Sequence, residues 1–329
     1  MWARRQPIAE TTLRPPLDAA RRVKRRLLLE RERLGSVQRE VNRAIVVPGL
    51  RRRRRRIVIG SVWAVGLARD EADIVGGTVA HLLGQGVDGI IIVDNNSVDS
   101  TKLILEKIAN AEPRLHVGTD SLVQFHQGKK TSYLAHLAWR QGADWVVPFD
   151  ADEQWFAPVG LLSPFLRKLN RGIDLVWADY RGVRPQVGTE FAWQGGLPFQ
   201  IDTLIEPNRK IAFRSRRWVF VGEGNHAVRC GFSQPQDLLH MLHYSSRSLS
   251  QLTMKAMSGT EALSAAQMDA SVGAHWRHWA NMSSEERESA WNSLARSGSH
   301  DPARPHGPRR VVRDPTSWKE WDPEGELSL

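Results

Sequence analysis

The chain has 329 residues, of which 41% are hydrophobic and 25% charged, and its formal net charge is +10. These proportions are ordinary for a soluble globular protein with one large domain or two small ones. The single cysteine, Cys230, excludes an internal disulfide and a zinc site built from several thiolates, and it fits a reducing compartment. No apolar run reaches the roughly 18–20 residues of a membrane-spanning helix, and we find no secretory signal.

Residues 1–56 form a basic arm, which we expect to be partly helical or disordered. The arm holds 18 basic and 5 acidic residues, a net charge of +13, so the rest of the chain carries −3. Within residues 17–56, apolar residues at helical spacing lie among arginines and are followed by six consecutive arginines, Arg51–Arg56. This pattern favours an anionic membrane surface. A solvated tail stays an alternative, and nucleic acid is disfavoured because no base-reading motif accompanies the arginines.

From residue 57 onwards, strands alternate with helices. The apolar runs IVIGSVWAVGLA, GIIIVDNN, RLHVGT and DWVVPFD each predict a strand. Helix-spaced apolar residues in DIVGGTVAHLLGQ, TKLILEKIA and KTSYLAHLAWRQG predict the helices between them. This order predicts an α/β domain over residues 57–260, with a mainly parallel sheet and helices on both faces. Such sheets bind ligands at the carboxyl ends of their strands.

The alternation weakens after Trp155. IDLVWADY predicts a strand, RKIAFR and RRWVFVG predict a pair of strands, and LLHMLHYSSRSLSQ begins as a strand that turns into a helix near Ser248. Residues 261–329 predict a helical segment followed by a polar tail.

Two carboxylates, Asp150 and Asp152, directly follow the predicted fourth strand. On a turn they can converge on one cation, and oxygen ligands without sulfur suit Mg²⁺ or Mn²⁺, which often bridge carboxylates to phosphate oxygens. The alternative is a capped turn, in which either carboxylate accepts from backbone N–H groups.

Polar residues also end the first and second strands. Asp94 lies where a carboxylate can accept from a ribose hydroxyl or a base N–H, whereas the following Asp99 suits a helix cap. Asp70 can likewise cap a helix, which leaves Glu71 as the residue that faces a nucleotide.

The segments ARDEADI, GVDGIIIVDNNSVDST and DWVVPFDADEQW, in this order, resemble the family-2 glycosyltransferases of the GT-A fold. The closer likeness is to a branch with three later motifs. Here these are RKIAFR with Lys210, GNHAV with His226, and LHYSSRSLSQLTMKAMSG with His243 and Lys255. The resemblance covers about residues 57–259, and the order of the motifs is more specific than any one of them.

This resemblance implies a nucleotide-sugar donor, usually a UDP-sugar, and a divalent cation, Mn²⁺ or Mg²⁺, held at the D-x-D motif. By match, Asp152 is the direct metal ligand, and Asp150 contacts the ribose or the metal. Asp94 and Glu71 contact the nucleoside. His243 is implied on the metal or the diphosphate, where an imidazole suits Mn²⁺ better than Mg²⁺.

Further residues belong to the same implied site. Lys210 and His226 come to it by their motifs, as residues that bind the nucleotide-sugar. Lys130 or Lys129 precedes the third helix and meets a phosphate, unless it is simply solvated. His240 is a second choice beside His243.

An inverting transfer needs a general base that takes the proton of the acceptor hydroxyl. Glu223, between glycines that suit a mobile loop, is the first candidate, and Asp179 is the second. Trp155 and Trp193 lie near the predicted site, where either could stack on a sugar ring.

The sequence therefore predicts a metal-dependent glycosyltransferase that acts on a carbohydrate or glycolipid acceptor in the synthesis of a polysaccharide or glycolipid. We expect it in the cytoplasm, peripheral at the inner face of the membrane. One alternative is a nucleotidyltransferase, although the Gly-rich phosphate loop expected after the first strand is missing. The other is a non-catalytic protein that binds a polyanion through its arginines.

Overall fold

The structure is a computed structural model that describes residues 35–50, 58–185, 199–202, 205–229, 231–297, 309–312 and 317–325. Within these ranges, no helix is both long enough and apolar enough to cross a membrane.

The helices are α1 Ser36–Ala44, α2 Val75–Gly84, α3 Thr101–Ala111, α4 Gln127–Gln141, α5 Leu162–Lys168, α6 Leu249–Ala265, α7 Ala274–Asn281, α8 Ser284–Ser297 and α9 Trp318–Trp321. The strands are β1 Ile45–Val46, β2 Val62–Ala68, β3 Gly89–Asp94, β4 Leu115–Asp120, β5 Trp145–Asp150, β6 Glu153–Phe156, β7 Leu175–Pro185, β8 Phe199–Asp202, β9 Lys210–Arg214, β10 Phe220–Val221, β11 Val228–Arg229, β12 Gln236–His243 and β13 Arg309–Val312. A short 3₁₀ turn spans Glu223–Asn225.

One large sheet runs in the order β1-β4-β3-β2-β5-β9-β7-β12-β6, and β8 and β13 extend it from β7. Its centre, β4-β3-β2-β5, is parallel, as is the pair of β7 and β12. The other pairs are antiparallel. The prediction of an α/β fold with a mainly parallel central sheet is therefore confirmed.

Helices cover both faces of this sheet. Val79 of α2, Leu105 of α3 and Leu162 of α5 belong to the buried cluster on one face. Val41 of α1 and Leu134 of α4 belong to the cluster on the other face. Because the central strands are buried on both sides, their sequences are continuous apolar runs rather than alternating ones.

The predicted pairing of RKIAFR with RRWVFVG is wrong. The first segment is β9, which lies between β5 and β7 in the large sheet and is antiparallel to both. In the second segment, only Phe220–Val221 is a strand, and it pairs with Val228–Arg229. All five residues of β9 are buried, which favours a position inside the sheet over an edge hairpin.

Part of the segment that we assigned to the basic arm lies in the folded domain. Val41 of α1 is fully buried, and Ile45 of β1 pairs with Asp120 of β4. The predicted helical face from Leu17 to Leu34 and the run Arg51–Arg56 fall outside the described residues.

The predicted polar tail is anchored near its end. Trp318 and Trp321 of α9 are buried, in a cluster with Phe156 of β6. The Trp318 ring stacks on the ring of His240, with centroids 4.0 Å apart and an interplanar angle of 5°. The end of the described chain thus packs against the edge strand β6 and its neighbour β12.

Candidate active site

The carboxyl ends of the parallel strands bring the predicted acidic residues to one edge of the sheet. In the register of the sheet, Asp94 of β3 lies opposite Ala68 of β2, and Asp150 of β5 lies opposite Leu67. Asp152 follows in the turn between β5 and β6. Asp94 and Asp152 are 4% and 1% exposed, so these carboxylates are held inside the molecule rather than on its surface.

Asp150 and Asp152 contact different cations instead of converging on one point. Asp150 Oδ2 accepts from Lys210 Nζ at 2.8 Å, and Lys210 also reaches Glu153 Oε1 at 2.6 Å. Asp152 Oδ2 contacts Lys255 Nζ and lies 3.5 Å from His243 Nε2. The turn between β5 and β6 is capped by Glu153, whose Oε2 accepts from the Asp150 backbone N–H at 3.0 Å.

A second group of contacts ties the end of β2 to this turn. Arg247 donates to Glu71 and to both oxygens of Asp73, at 2.7 and 2.8 Å, and its Nη1 lies 3.7 Å from Asp152 Oδ2. Lys255 Nζ lies 3.1 Å from Glu71 Oε1. Two cations that follow β12 therefore hold acidic groups from distant parts of the chain together.

The cluster holds five carboxylates and three permanent cations. The acids are Glu71, Asp73, Asp150, Asp152 and Glu153, and the cations are Lys210, Arg247 and Lys255. With every acid ionised, the acids exceed the cations by two, although burial raises the pKa of Glu71 and of Glu153. Since His243 beside them is charged only when protonated, the buried cluster favours one further positive charge.

Burial and neighbouring charges act on these groups in opposite directions. Burial raises the pKa of Glu153 to about 7, while Lys210 opposes the rise. Burial also acts to raise the pKa of Asp152, but Lys255 and His243 outweigh it and hold that pKa well below its usual value. Although burial alone lowers the pKa of Lys255, Asp152 and Glu71 raise it, so this ammonium stays charged.

Asp150 is also fixed by two amides. Gln127 Nε2 and Asn225 Nδ2 donate to Asp150 Oδ1 at 2.7 and 3.1 Å, and Gly224 N donates to Gln127 Oε1 at 3.1 Å. Gly224 has φ +70°, a left-handed conformation that favours glycine. The segment with the GNH motif is therefore bound directly to the end of β5.

Asp94 keeps one oxygen without a partner. Its Oδ2 accepts weakly from Ser97 N at 3.4 Å, and its Oδ1 is buried with no hydrogen-bond partner among the described residues. The neighbouring Asp70 does not cap α2. It adopts φ 55° and accepts from Val98 N at 2.7 Å, which joins the loops after β2 and β3.

Both predicted general bases have other contacts. Glu223 Oε2 accepts from Gly128 N at 2.9 Å, at the start of α4, and its side chain is exposed. Asp179 is 1% exposed and lies 2.8 Å from Arg209 Nε. Of the two, Glu223 is the carboxylate that solvent and an acceptor can reach.

Two lysines that were predicted to meet a phosphate make other contacts in the structure. Lys130 is 3% exposed and donates to Asp120 and to the Leu122 carbonyl, each at 2.6 Å. Lys129 Nζ lies over the Phe220 ring, 5.1 Å from its centroid. Lys130 is therefore neither solvated nor free to meet a phosphate.

His226 and Trp155 are likewise engaged. His226 Nδ1 lies 2.9 Å from the Arg209 carbonyl oxygen. Trp155 is fully buried in the core, so it cannot stack on a sugar ring. Trp193 lies outside the described residues.

The side chains beside Asp152 could supply only a few ligands to a divalent cation, so most of its ligands would come from water or a bound phosphate. In the part of the chain that the structure describes, no group of three or more His, Cys, Asp or Glu side chains has the spacing of a metal site. Asp152 and His243 nevertheless offer a carboxylate and an imidazole side by side, which suits Mn²⁺. Such ions commonly fill their other positions with water and phosphate oxygens. Asp150, with Lys210 on one oxygen and amides on the other, fits a positioning role better than a ligand role.

Sequence reasoning gave no role to four residues of this site: Gln127, Asn225, Arg247 and Lys255. Asn225 lies in the motif GNHAV, and Arg247 and Lys255 lie in LHYSSRSLSQLTMKAMSG, so these motifs contain a signal. Gln127 carries no local signal, because its partners are far away in sequence.

A family model supports the enzymatic interpretation. Residues 67–222 match the model of glycosyl transferase family 2, a segment that runs from the end of β2 to β10 and includes the turn with Asp152. No curated protein matches the chain significantly.

Several solved structures are similar to this chain. TarS 1-349 of S. aureus in complex with UDP-GlcNAc is 12% identical, with 72% of each chain covered and a TM-score of 0.35. Glucosyl-3-phosphoglycerate synthase of Mycobacterium tuberculosis, with Mn²⁺, UDP and glucosyl-3-phosphoglycerate, is 22% identical over 37% of this chain and 44% of that chain, with a TM-score of 0.25. The mannosyltransferase PcManGT of Pyrobaculum calidifontis, with GDP-Man and Mn²⁺, is 16% identical over 48% and 47%, with a TM-score of 0.29.

The chain thus spans less than half the length of the last two structures. At these low TM-scores, the assignment rests on the family match together with the acidic strand ends. Residues 67–222, just under half of the chain, match the glycosyl transferase family 2 model, and this match supports a glycosyltransferase.

Proposed function

We propose that this enzyme transfers a sugar from a nucleotide-sugar, with a UDP-sugar as first choice, to an acceptor hydroxyl with inversion. The observation that carries the proposal is the buried cluster at the carboxyl ends of β2 and β5, in which five carboxylates face three permanent cations. A fold gains no stability from an uncompensated excess of buried negative charge. A divalent cation bound here together with a diphosphate would compensate the acidic side chains.

The nucleoside half of the donor belongs near Asp94. Its Oδ1 is buried and has no partner among the described residues, and a buried acceptor without a partner is costly unless a ligand supplies a donor. A base N–H or a ribose hydroxyl provides one. In this arrangement Glu71 serves the site indirectly, because it positions Arg247 and Lys255.

The diphosphate half belongs beside Asp152 and His243, which would hold the divalent cation. Such an ion, when bound, neutralises charge that develops on the leaving diphosphate. Asp150 keeps the turn in place through Lys210, Gln127 and Asn225. Arg247 holds the loop after β2 against the same turn.

Glu223 is our choice of general base. Glu223 is an exposed residue whose pKa is raised by partial burial of its carboxylate, and Asn225, two residues later, contacts Asp150 at 3.1 Å, so an acceptor above the turn is within reach. Asp179 is buried and paired with Arg209, which leaves it no path to an acceptor. Glu223→Gln should lower the rate of transfer by about 10²- to 10⁴-fold, whereas Asp179→Asn should not. Equal losses would remove Glu223 from this role.

Thermal stability with nucleotides tests the donor site. UDP together with Mn²⁺ should raise the melting temperature more than either alone, and Asp152→Asn should abolish the gain. A shift with another nucleoside diphosphate instead of UDP would change the predicted nucleobase of the donor but not the predicted type of reaction. If no nucleoside diphosphate shifts the wild type with Mn²⁺ or Mg²⁺, the donor assignment is wrong. A screen of UDP-sugar hydrolysis then identifies the sugar.

We further propose that the acceptor is a carbohydrate or glycolipid and that the basic arm attaches the enzyme to an anionic membrane surface from the cytoplasmic side. Two apolar side chains just after the arm, Val58 and Ile59, are 55% and 78% exposed, next to Arg51–Arg56. Cosedimentation with vesicles of anionic and neutral lipids tests this. Binding to both equally, or unchanged binding when the six arginines are replaced by glutamine, would contradict it.

A further inference from the structure

Lys255 occupies the oxygen through which Asp152 would meet a divalent cation. Its ammonium contacts Asp152 Oδ2, the same oxygen that lies 3.5 Å from His243 Nε2. A divalent ion that approaches Asp152 beside His243 therefore meets a positive charge already in contact with the carboxylate. Like charges this close, in a partly buried site, repel each other strongly.

The three cations of the cluster differ in how firmly they are held. Arg247 is 1% exposed and donates to Glu71, Asp73 and the Tyr244 carbonyl. Lys210 is 5% exposed and bridges two carboxylates. The Lys255 side chain is 24% exposed and stands on α6, at the end of a flexible four-carbon stem. Of these three, Lys255 is the cation best able to change partners without breaking the fold.

We infer that Lys255 is a built-in counter-cation, which holds Asp152 while no donor is bound and moves to the donor diphosphate when a divalent cation takes Asp152. The inference rests on the proposed function for the identity of the diphosphate. It keeps the buried Asp152 carboxylate paired with a cation when no ligand is bound. It also makes the metal and the donor bind cooperatively, since each removes an obstacle to the other.

Binding of Mn²⁺ alone is the first measurement, by electron paramagnetic resonance on the full chain without nucleotide. Lys255→Met keeps the apolar stem and removes the charge, so it should bind Mn²⁺ about tenfold or more tightly than wild type. Lys255→Arg should resemble wild type, because it keeps the charge. The matched control is Lys102→Met, at an exposed lysine of α3 that pairs with Glu106, and it should change nothing.

Binding of UDP at saturating Mn²⁺ is the second measurement. Lys255→Met should weaken it about tenfold, because the diphosphate loses a cation. If Lys255→Met binds Mn²⁺ no better than wild type, or binds UDP equally well, the inference is wrong. Circular dichroism checks that the variants fold, and Lys255→Gln replaces Lys255→Met if the latter does not. If no form binds UDP, the proposed function fails, whereas the measurement without nucleotide still decides whether Lys255 excludes the cation from Asp152.

Discussion

The two ends of β5 handle buried charge in different ways. At the amino end, one carboxylate, Asp144, meets Arg214 at 2.7 Å, Arg171 at 3.3 Å and the backbone N–H of Gly60 at 2.8 Å. At the carboxyl end, five carboxylates meet three permanent cations. The first carboxylate has protein partners for its charge, whereas in the second group the acids outnumber the permanent cations.

This difference separates an ion pair that holds the fold from a cluster that serves a ligand. The amino-end group closes the sheet against α5, because Arg214 also donates to the Leu169 carbonyl at 3.0 Å and lies over the Trp145 ring. Both ends of β5 carry acidic residues, so acidity alone does not distinguish them. Only the balance of partners distinguishes them, so perturbing each end should affect a different property.

The largest effect is expected from Asp152→Asn. The carboxylate is a proposed cation ligand, so its loss should lower kcat/KM for donor turnover by about 10²- to 10³-fold. The free energy of unfolding should fall as well, because neighbouring cations hold the pKa of Asp152 well below its usual value and so stabilise its ionised form in the fold.

Release of UDP, assayed together with urea denaturation, checks both parts of this prediction. A variant that unfolds easily and yet turns over normally would reverse the comparison between the two ends of β5. Such a result would make the carboxyl-end cluster structural.

Asp144→Asn should lower stability and leave donor turnover almost unchanged. It leaves the Arg214 guanidinium, whose side chain is 11% exposed, without its carboxylate, and breaking such a pair costs about 3 kcal/mol of unfolding free energy. Donor turnover per folded molecule should stay within about twofold of wild type, since Asp144 lies at the other end of the strand.

The matched control for Asp144→Asn is Arg171→Ala, which removes the partner that is 62% exposed and should cost less than about 1 kcal/mol. Equal losses of stability in the two variants would show that burial of Arg214 is not what makes the pair matter.

The sequence predicts the parallel half of this molecule because each of its strands is buried on both faces. GIIIVD, for example, is a run that only a central strand explains, and it is β3. Asp94 and Asp150 could be placed at one edge because parallel strands put their carboxyl ends together.

The antiparallel half could not be predicted in the same way. The position of β9 between β5 and β7 depends on pairing between strands that are far apart in sequence. The segment KIAFR itself does not indicate which strands it pairs with. The same reason hides the partners of the acids: Arg247 is 176 residues from Glu71, and Lys255 is 103 residues from Asp152. The anchored end was missed because WKEW is too short to show a period.

The smallest of the three effects concerns His240. Unlike the buried carboxylates at the two ends of β5, this buried side chain is neutral. It is 2% exposed, and burial together with Arg181 lowers its pKa to about 4. The unfolded chain, with a pKa of about 6.5, takes up the proton first as the pH falls. Stability from this group is therefore complete above about pH 6.5 and is lost as the pH falls towards 4, by about 2 kcal/mol at pH 5.

Urea denaturation at about pH 7.5 and pH 5 measures this loss, and His240→Phe isolates it. Phenylalanine keeps a flat ring against Trp318 and cannot be protonated, so the difference in unfolding free energy between the two pH values should shrink by about 2 kcal/mol. Other buried histidines, such as His81, titrate in both proteins and cancel in the comparison. An unchanged difference would mean that the loss of stability in acid comes from groups other than His240.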